Sequence, residues 1–411
     1  MAKVFINISE LYQTREATSP LLKGAAMAEV PSIAMAYLKV SNGLIHSFGP
    51  MDELTIAPTD EVIDLQGRMV TPTFVDSHTH MVFAADRDEE FVMKIKGMDY
   101  QEIAQAGGGI LNSARKLQET PLDDLIESAQ KRVHEAILAG TGALEIKSGY
   151  GLSFDAELKM LQVIAQLKQT VDIPIKATFL GAHAYPNADK SAYMDLLIQD
   201  LLPEISKQGL ADFIDCFCEE GYFSVEDMHR LLEAGEQHGL RAKVHVNQFN
   251  AIGGIEKAIE FGALTVDHLE VLLDEEIELL KASDTIPVAL PGCSYFLNID
   301  FAPGRKMIDR GLPLVIASDF NPGSAPSFNM SMINSLACTK MRLLPNEAFN
   351  GSTVNAAFAL ALNAEVGSIT AGKRANFLVG KEGKQLNSIS YNFGVHWIDQ
   401  VFINGKEFPN S

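Results

Sequence analysis

Apolar residues recur along most of the chain as short runs separated by amphipathic stretches. Eight runs have strand length, at residues 69–76, 142–148, 174–181, 212–217, 241–247, 263–268, 285–290 and 312–318. Helical spacing of apolar residues is found between them, at 122–139, 154–167, 225–238, 254–261 and 274–281. Strands that alternate with helices indicate a parallel sheet with crossover helices. Eight such strands predict an α/β fold of the (β/α)8, TIM-barrel type.

The two chain ends show a different pattern, of short strands joined by tight turns. Asn42-Gly43 and Asn404-Gly405 each lie between apolar runs. Asn-Gly accepts a positive φ at both turn positions and is therefore typical of a two-residue β-hairpin. We expect residues 1–67 and 366–411 to pair into a small discontinuous β-sandwich domain, with the barrel at 68–365 inserted between its halves.

Length and charge restrict the classes of function. A chain of 411 residues with 47% hydrophobic residues can bury a barrel of about 250 residues and a smaller companion domain. The net charge of −20 repels phosphate backbones and anionic lipid, which makes nucleic acid and membrane partners improbable. With no leader-like start and no apolar run near the roughly 18 residues of a membrane span, a cytoplasmic protein is expected.

The residues best suited to chemistry stand at the ends of the predicted strands, where barrel enzymes carry their active sites. His78 and His80 follow the first strand two residues apart, so both imidazoles point to the same side. His245 ends the fifth strand and Asp319 the eighth. Three imidazoles and a carboxylate suit a divalent metal, zinc or iron(II), and we predict one such metal per chain. His183 and His268 also fall at strand ends.

Several other polar residues have a structural interpretation. The remaining histidines lie on predicted helices or in the terminal domain and are expected to be surface or packing residues: His46, His134, His229, His238 and His396. The four cysteines, Cys216, Cys218, Cys293 and Cys338, are too few and too irregular for a disulfide framework, so buried thiols are expected.

Lys147 and Lys176 lie within predicted strands, where an ion pair or a strand-edge position is favoured. The glycines at 107–109 indicate a loop near the site rather than a phosphate cradle, because no Gly-Lys-Ser/Thr follows.

The order of these metal-ligand candidates resembles the amidohydrolase superfamily. Within it, five segments resemble imidazolonepropionases: HTHMVF at 78–83 followed by Arg87, AGGGIL at 106–111, EIKSGYGL at 145–152, TFLGAH at 178–183 and SDFNPGS at 318–324. Residues 367–375 resemble the superfamily's return to the small domain. Pro72-Thr73 and Asn376 depart from common superfamily residues, and Gln248 stands where some family members have glutamate.

The resemblance implies hydrolysis of 4-imidazolone-5-propanoate to N-formimino-L-glutamate by attack of a metal-activated water on the cyclic amide carbonyl. His268 is the candidate for moving the proton to the departing ring nitrogen, with Asp319 the alternative. The anionic substrate needs a local cation, and Arg87 can form a bidentate pair with its carboxylate unless it makes a surface ion pair with Asp86, Asp88 or Glu89. Family substrate-contact positions match Tyr150, His183, Gln248, Asn321, Gly323 and Ser324. Tyr100 is a weaker candidate for binding the carboxylate, with a packing role as the alternative. A homodimer is also implied.

Two other functions remain open on the sequence. The same ligands would serve an aminohydrolase that deaminates a heterocycle, which ammonia release would reveal. A metal-binding or assembly protein that retains the barrel without activity is the second alternative, because a fold does not guarantee chemistry. The complete ligand set and Arg87 favour an enzyme.

Overall fold

A computed structural model describes residues 2–15, 20–98, 102, 108–186 and 189–409 of the chain. Strands from both chain ends build one mixed sheet, which is the small β unit expected at the termini. Its members are β1 (Lys3–Tyr12), β2 (Ser32–Ser41), β3 (Leu44–Pro50), β4 (Glu61–Asp64), β5 (Val70–Pro72), β14 (Phe377–Gly380), β15 (Ile398–Ile403) and β16 (Lys406–Glu407). They are ordered β16-β15-β14-β5-β1-β2-β3, with β4 beside β1.

Both predicted hairpins are confirmed. Asn42 and Gly43 join β2 to β3 with φ of 53° and 78°, and Asn404 and Gly405 join β15 to β16 with φ of 50° and 70°. Aromatic rings fill the core of this sheet: Phe5 lies 4.9 Å from Phe377 and 5.0 Å from Phe402 between ring centroids. The sheet therefore holds the first and last segments of the chain together.

The eight-stranded parallel barrel is also confirmed. Its strands are β6 (Phe74–Asp76), β7 (Thr141–Lys147), β8 (Ile175–Ala182), β9 (Phe213–Cys218), β10 (Arg241–Val246), β11 (Thr265–His268), β12 (Ile286–Ala289) and β13 (Val315–Ile316). Each pairs in parallel with the next, from β6 to β13.

Helices surround the barrel and follow its strands. They are Asp88–Ile95, Ile110–Glu119, Leu122–Leu138, Phe154–Thr170, Lys190–Asp195, Leu202–Gln208, Val225–Gln237, Gly254–Glu260, Asp274–Lys281, Pro291–Leu297, Gly304–Asp309, Met330–Met341, Pro345–Gly351, Val354–Ala359 and Leu386–Tyr391. A π-helical turn covers Leu196–Leu201, and short 3₁₀ turns cover Gly24–Ala28 and Met51–Glu53. Within the described ranges, no helix combines the length and the apolar character needed to cross a membrane.

Contacts between the first and last barrel strands bring the two ends of the parallel sheet together. Thr79 forms a parallel bridge with Phe320, and the Asp319 amide donates to the His78 carbonyl at 3.0 Å. The Ser318 amide donates to Asp76 Oδ1 at 3.0 Å. Closure at this point sets Asp319 opposite the two histidines that follow β6.

The first predicted strand was wrong in one respect. Residues 69–76 form two strands, because the chain leaves the terminal sheet after Pro72 and enters the barrel at Phe74. Thr73 makes this crossing, with its amide donating to the Asn376 carbonyl at 3.2 Å. Both halves are buried, so one continuous apolar run spans two sheets. The domain boundary at residue 67 stays a prediction, and hydrogen bonding carries the terminal sheet on to Pro72.

Candidate active site

Histidines and one aspartate converge at the carboxyl end of the barrel. His78 and His80 stand on the extended segment after β6, His245 lies in β10, His268 ends β11 and Asp319 follows β13. Asp319 Oδ1 is 3.4 Å from His78 Nε2 and 3.6 Å from His80 Nε2. The ring centroids of His78 and His245 are 4.4 Å apart. All the metal ligands predicted from the sequence therefore come together.

The chemistry of this cluster suits a divalent cation. His78, His80 and Asp319 place donor atoms within 4.8 Å of one another, as do His78, His245 and His268. His78 Nε2 is buried and has no hydrogen-bond partner. Burial lowers the pKa of His78 and of His80 well below the usual value and that of His245 to about 3, which keeps the imidazoles neutral, as metal ligation requires. A metal would supply the partner that the buried nitrogen lacks.

Two buried carboxylates orient the imidazoles from behind. Asp267 Oδ2 is 2.6 Å from His78 Nδ1, and Asp215 Oδ2 is 2.8 Å from His245 Nδ1. A carboxylate on Nδ1 fixes the tautomer whose Nε2 carries the free lone pair, and it raises the basicity of the ligand. This arrangement is the usual support of a histidine-bound metal.

A buried lysine lies between those carboxylates. Lys147 Nζ is 2.8 Å from Asp215 Oδ2, 2.9 Å from Glu145 Oε1 and 3.8 Å from Asp267 Oδ2. Lys243 Nζ lies 2.8 Å from the other oxygen of Glu145. The ion pair expected of Lys147 is confirmed, and Lys176 likewise pairs with Asp212 at 3.3 Å. The barrel interior beneath the histidines is thus a layer of paired charges.

His268 differs from the other histidines of the site in its backbone conformation and in the direction in which its pKa is shifted. Its φ is 88°, and that of Asp319 is 55°, values that residues other than glycine rarely adopt and that cluster at functional sites. Burial would lower the pKa of His268, but the carboxylates of Glu270 and Asp319 outweigh it and raise that pKa. Burial raises the pKa of Asp319 to about 6. Both groups are suited to proton transfer near neutral pH.

A cavity of about 220 Å³ opens beside the cluster. Its lining contains the seven residues predicted to bind the substrate, which are Arg87, Tyr150, His183, Gln248, Asn321, Gly323 and Ser324. His80 stacks on His183 with a centroid distance of 5.4 Å and meets the edge of Tyr150 at 5.5 Å, so the cavity adjoins the metal-ligand cluster. Tyr100 and Gly107 lie outside the described residues.

Arg87 is the main cation of this cavity. Its Nε donates to Ser113 Oγ at 2.9 Å, and its Nη1 is 4.0 Å from Glu90 Oε2. Nη2 is buried without a hydrogen-bond partner. Among the described residues, Arg87 therefore pairs with Glu90 and not with Asp86, Asp88 or Glu89, the surface partners that the sequence left open. Arg87 lines the cavity, and a buried guanidinium nitrogen without a partner favours an anion beside it.

Several groups in and around the site were not predicted. Lys94 and the rings of Phe217, Tyr222 and Phe249 also line the cavity. Lys94 is seven residues from Arg87, two turns along one helix, and that spacing could have identified it. Asp215 could have been found from strand alternation, because it shares a face of β9 with Phe217 two residues later, whereas Asp267 directly precedes His268 in β11 and alternation points the other way.

Comparisons with known proteins agree with this geometry. The sequence profile of the amidohydrolase family matches residues 69–408. The imidazolonepropionase of Christiangramia forsetii is 51% identical over 409 residues, covering 99% of this chain and all of the relative. That of Geobacillus thermodenitrificans is 38% identical and covers 95% and 94% of the two chains.

Solved structures show the same fold at low sequence identity. Guanine deaminase of E. coli superimposes with a TM-score of 0.75 at 14% identity and covers 99% of both chains. An adenosine deaminase from Xanthomonas campestris gives 0.72 at 15% identity and covers 98% of this chain and 92% of its own. Such identities establish the architecture, and the full-length sequence relatives establish the branch: the chain belongs to the imidazolonepropionases of the amidohydrolase family.

Proposed function

We propose that this chain hydrolyses 4-imidazolone-5-propanoate to N-formimino-L-glutamate, with one divalent metal held by His78, His80, His245 and Asp319. The observation that carries the proposal is the pairing of two unsatisfied groups in one site, Arg87 Nη2 and His78 Nε2. Tyr150 lies between the two regions, 5.9 Å from the Arg87 guanidinium and 5.5 Å from the His80 ring. A small substrate with an anionic tail and a ring amide matches that layout.

A bound divalent metal supplies Lewis-acid activation of water near neutral pH. His268 lies where it can accept a proton from the attacking water and pass it to the departing ring nitrogen. Glu270 holds His268 Nδ1 at 3.4 Å and supports its protonated form. Asp319 is the alternative carrier, since its carboxylate faces both His78 and His80.

The cavity wall orients the ring. His183 Nδ1 lies 3.0 Å from the Gly149 carbonyl oxygen, to which it donates a hydrogen bond. This bond fixes the orientation of the imidazole and leaves Nε2 for the substrate. Gln248 supplies amide groups to the polar edge of a substrate ring. Asn321 Oδ1 accepts from the amides of Gly323 and Ser324, both at 2.8 Å, and so holds this loop beside Arg87.

The proposal also includes the identity of the metal ion, the oligomeric state and the location in the cell. Three imidazoles and a carboxylate suit Zn²⁺ or Fe²⁺, and metal analysis of protein purified without chelators decides between them. The family resemblance supports a homodimer and a cytoplasmic location. Light scattering of the purified chain tests the dimer, and cell fractionation tests the location.

Arg87→Met tests the carboxylate-binding role. Losing two charge-assisted hydrogen bonds of about 1.5 kcal/mol each should raise KM by roughly 100-fold while kcat changes little. The propanamide analogue of the substrate, which lacks the anion, should be hydrolysed equally by the variant and the original chain. Arg115→Met is the matched control, because Arg115 is exposed on the helix Ile110–Glu119.

Two results would contradict the assignment. An unchanged KM for the acid would remove Arg87 as the anchor, and an equal loss on the acid and the amide would show a structural effect instead. Product analysis on the same samples separates ring opening from the deaminase alternative, because deamination releases ammonia and ring opening does not.

A further inference from the structure

A second group of metal-ligand side chains lies next to the proposed metal centre. His268, Glu270 and Cys293 bring an imidazole nitrogen, a carboxylate oxygen and a thiol sulfur within 4.8 Å of one another. Their exposed fractions are 3%, 7% and 0%. His268 ends β11, Glu270 lies two residues after it, and Cys293 lies in the first turn of the helix Pro291–Leu297.

The carboxylate of Glu270 is incompletely satisfied. Its Oε1 accepts from Ser294 Oγ at 3.1 Å and faces His268 Nδ1 at 3.4 Å, whereas Oε2 is buried without a hydrogen-bond partner. Across the described ranges, His268 is its one ion-pair partner. A buried carboxylate oxygen without a partner is costly, and a nearby cation would relieve that cost.

We propose that His268, Glu270 and Cys293 bind a second divalent metal ion of the zinc class. Sulfur, nitrogen and oxygen donors in one set are typical of Zn²⁺ and Co²⁺ sites, and unlike the first cluster this one includes a thiol. Binding forms a metal–sulfur bond and releases the Cys293 proton to solvent. The thiolate and the carboxylate then balance the two charges of the ion.

The distances permit this with small side-chain rotations. Ligands about 2.0–2.3 Å from a tetrahedral ion lie roughly 3.3–3.8 Å apart, and the pair His268 Nδ1 to Glu270 Oε1 is already at 3.4 Å. Cys293 Sγ is 3.4 Å from Gln248 Nε2 and also makes side-chain hydrogen bonds with Ser324 and Asp319, and a metal–sulfur bond would replace these contacts.

The site has a regulatory consequence that rests on the proposed function. His268 belongs both to this group and to the proton-transfer machinery, so an ion on the second site withdraws His268 from catalysis. Excess metal should therefore inhibit hydrolysis, while the first ion supports it. The metal binding itself does not depend on the identity of the substrate.

Cobalt replacement tests the second site without an activity assay. Chelator-treated protein is titrated with Co²⁺, desalted and examined for metal content and absorption. We expect two cobalt ions per chain and a sulfur-to-cobalt charge-transfer band in the near ultraviolet. Cys293→Ser should remove the band and one of the two bound ions. Glu270→Gln should lower the affinity for the second ion at least about tenfold. Cys338→Ser is the matched control, and it should keep both ions.

The outcomes separate this inference from the proposed function. A single cobalt at saturation with no thiolate band, or a band that persists in Cys293→Ser, overturns the second site. Cobalt d–d absorption that remains in the Cys293→Ser variant shows that the first metal centre still binds cobalt. If Cys293→Ser bound no cobalt, the first centre would fail and with it the proposed metal chemistry. Zinc inhibition that is present in the original chain and reduced in Cys293→Ser supports the regulatory consequence.

Discussion

Replacing Lys147 by methionine should disrupt the charged layer beneath the metal-ligand cluster. The Lys147 side chain is fully buried, and its ammonium contacts Glu145 and Asp215 directly, with Asp267 at 3.8 Å. With Lys243, the layer has two cations for three carboxylates. Methionine fills similar volume, so the change removes charge and leaves two uncompensated negative charges in the barrel.

The structure sets the size of the effect. At an effective dielectric constant of about 20, a contact near 2.8 Å is worth roughly 6 kcal/mol of Coulomb energy. Methionine recovers the cost of burying the ammonium, so the expected net loss in the free energy of unfolding is about 3–5 kcal/mol. Such a loss is a large fraction of the stability of an ordinary domain.

Urea unfolding of chelator-treated protein measures this loss. Trp397, the single tryptophan, is buried and reports on unfolding by fluorescence, with circular dichroism as a second probe. The double variant Lys147→Met/Glu145→Gln restores the original charge balance and should recover at least half of the lost free energy. A loss below about 1 kcal/mol, or a double variant no more stable than the single one, would refute the account of the layer.

Three further predictions concern other parts of the structure. Asp267→Asn should weaken metal binding about 10–100-fold in a chelator competition, because the carboxylate behind His78 is lost, and unchanged affinity would contradict its supporting role. Gly323→Ala places a Cβ 2.6 Å from Arg87 Nη1, so KM should rise while the urea midpoint stays the same, and an unchanged KM would show that Arg87 does not act there. Burial lowers the pKa of Lys373 from 10.5 to about 8. The unfolded chain therefore binds more protons between those pH values, and stability should rise with pH by up to about 3 kcal/mol, a rise that Lys373→Met should lack in urea titrations.

Strand positions and hairpins were predictable because they depend on local chemistry. The Asn-Gly turns adopt the positive φ that only such residues accept readily, and the apolar runs are long enough to define strands. The split at Thr73 was not predictable. Burial on both sides of Thr73 makes two strands in different sheets look like one apolar run, and the point of crossing depends on a long-range contact with Asn376.

The metal-ligand cluster was predictable for a different reason. Carboxyl ends of parallel strands converge, so His78, His80, His245 and Asp319 needed no knowledge of distant contacts. Asp267 was missed because it precedes His268 in the same strand, and alternation would place the two side chains on opposite faces. The positive φ of His268 breaks that alternation, so both side chains lie near His78.

The central claim is most directly tested by following the imidazolone absorbance of freshly prepared 4-imidazolone-5-propanoate, with metal analysis of the same sample at a metal supply that fills the first centre alone. The account predicts loss of that absorbance, formation of N-formimino-L-glutamate without ammonia, and about one metal ion per chain. Protein whose first centre is filled, with the second site empty, and which leaves the substrate unchanged would contradict it.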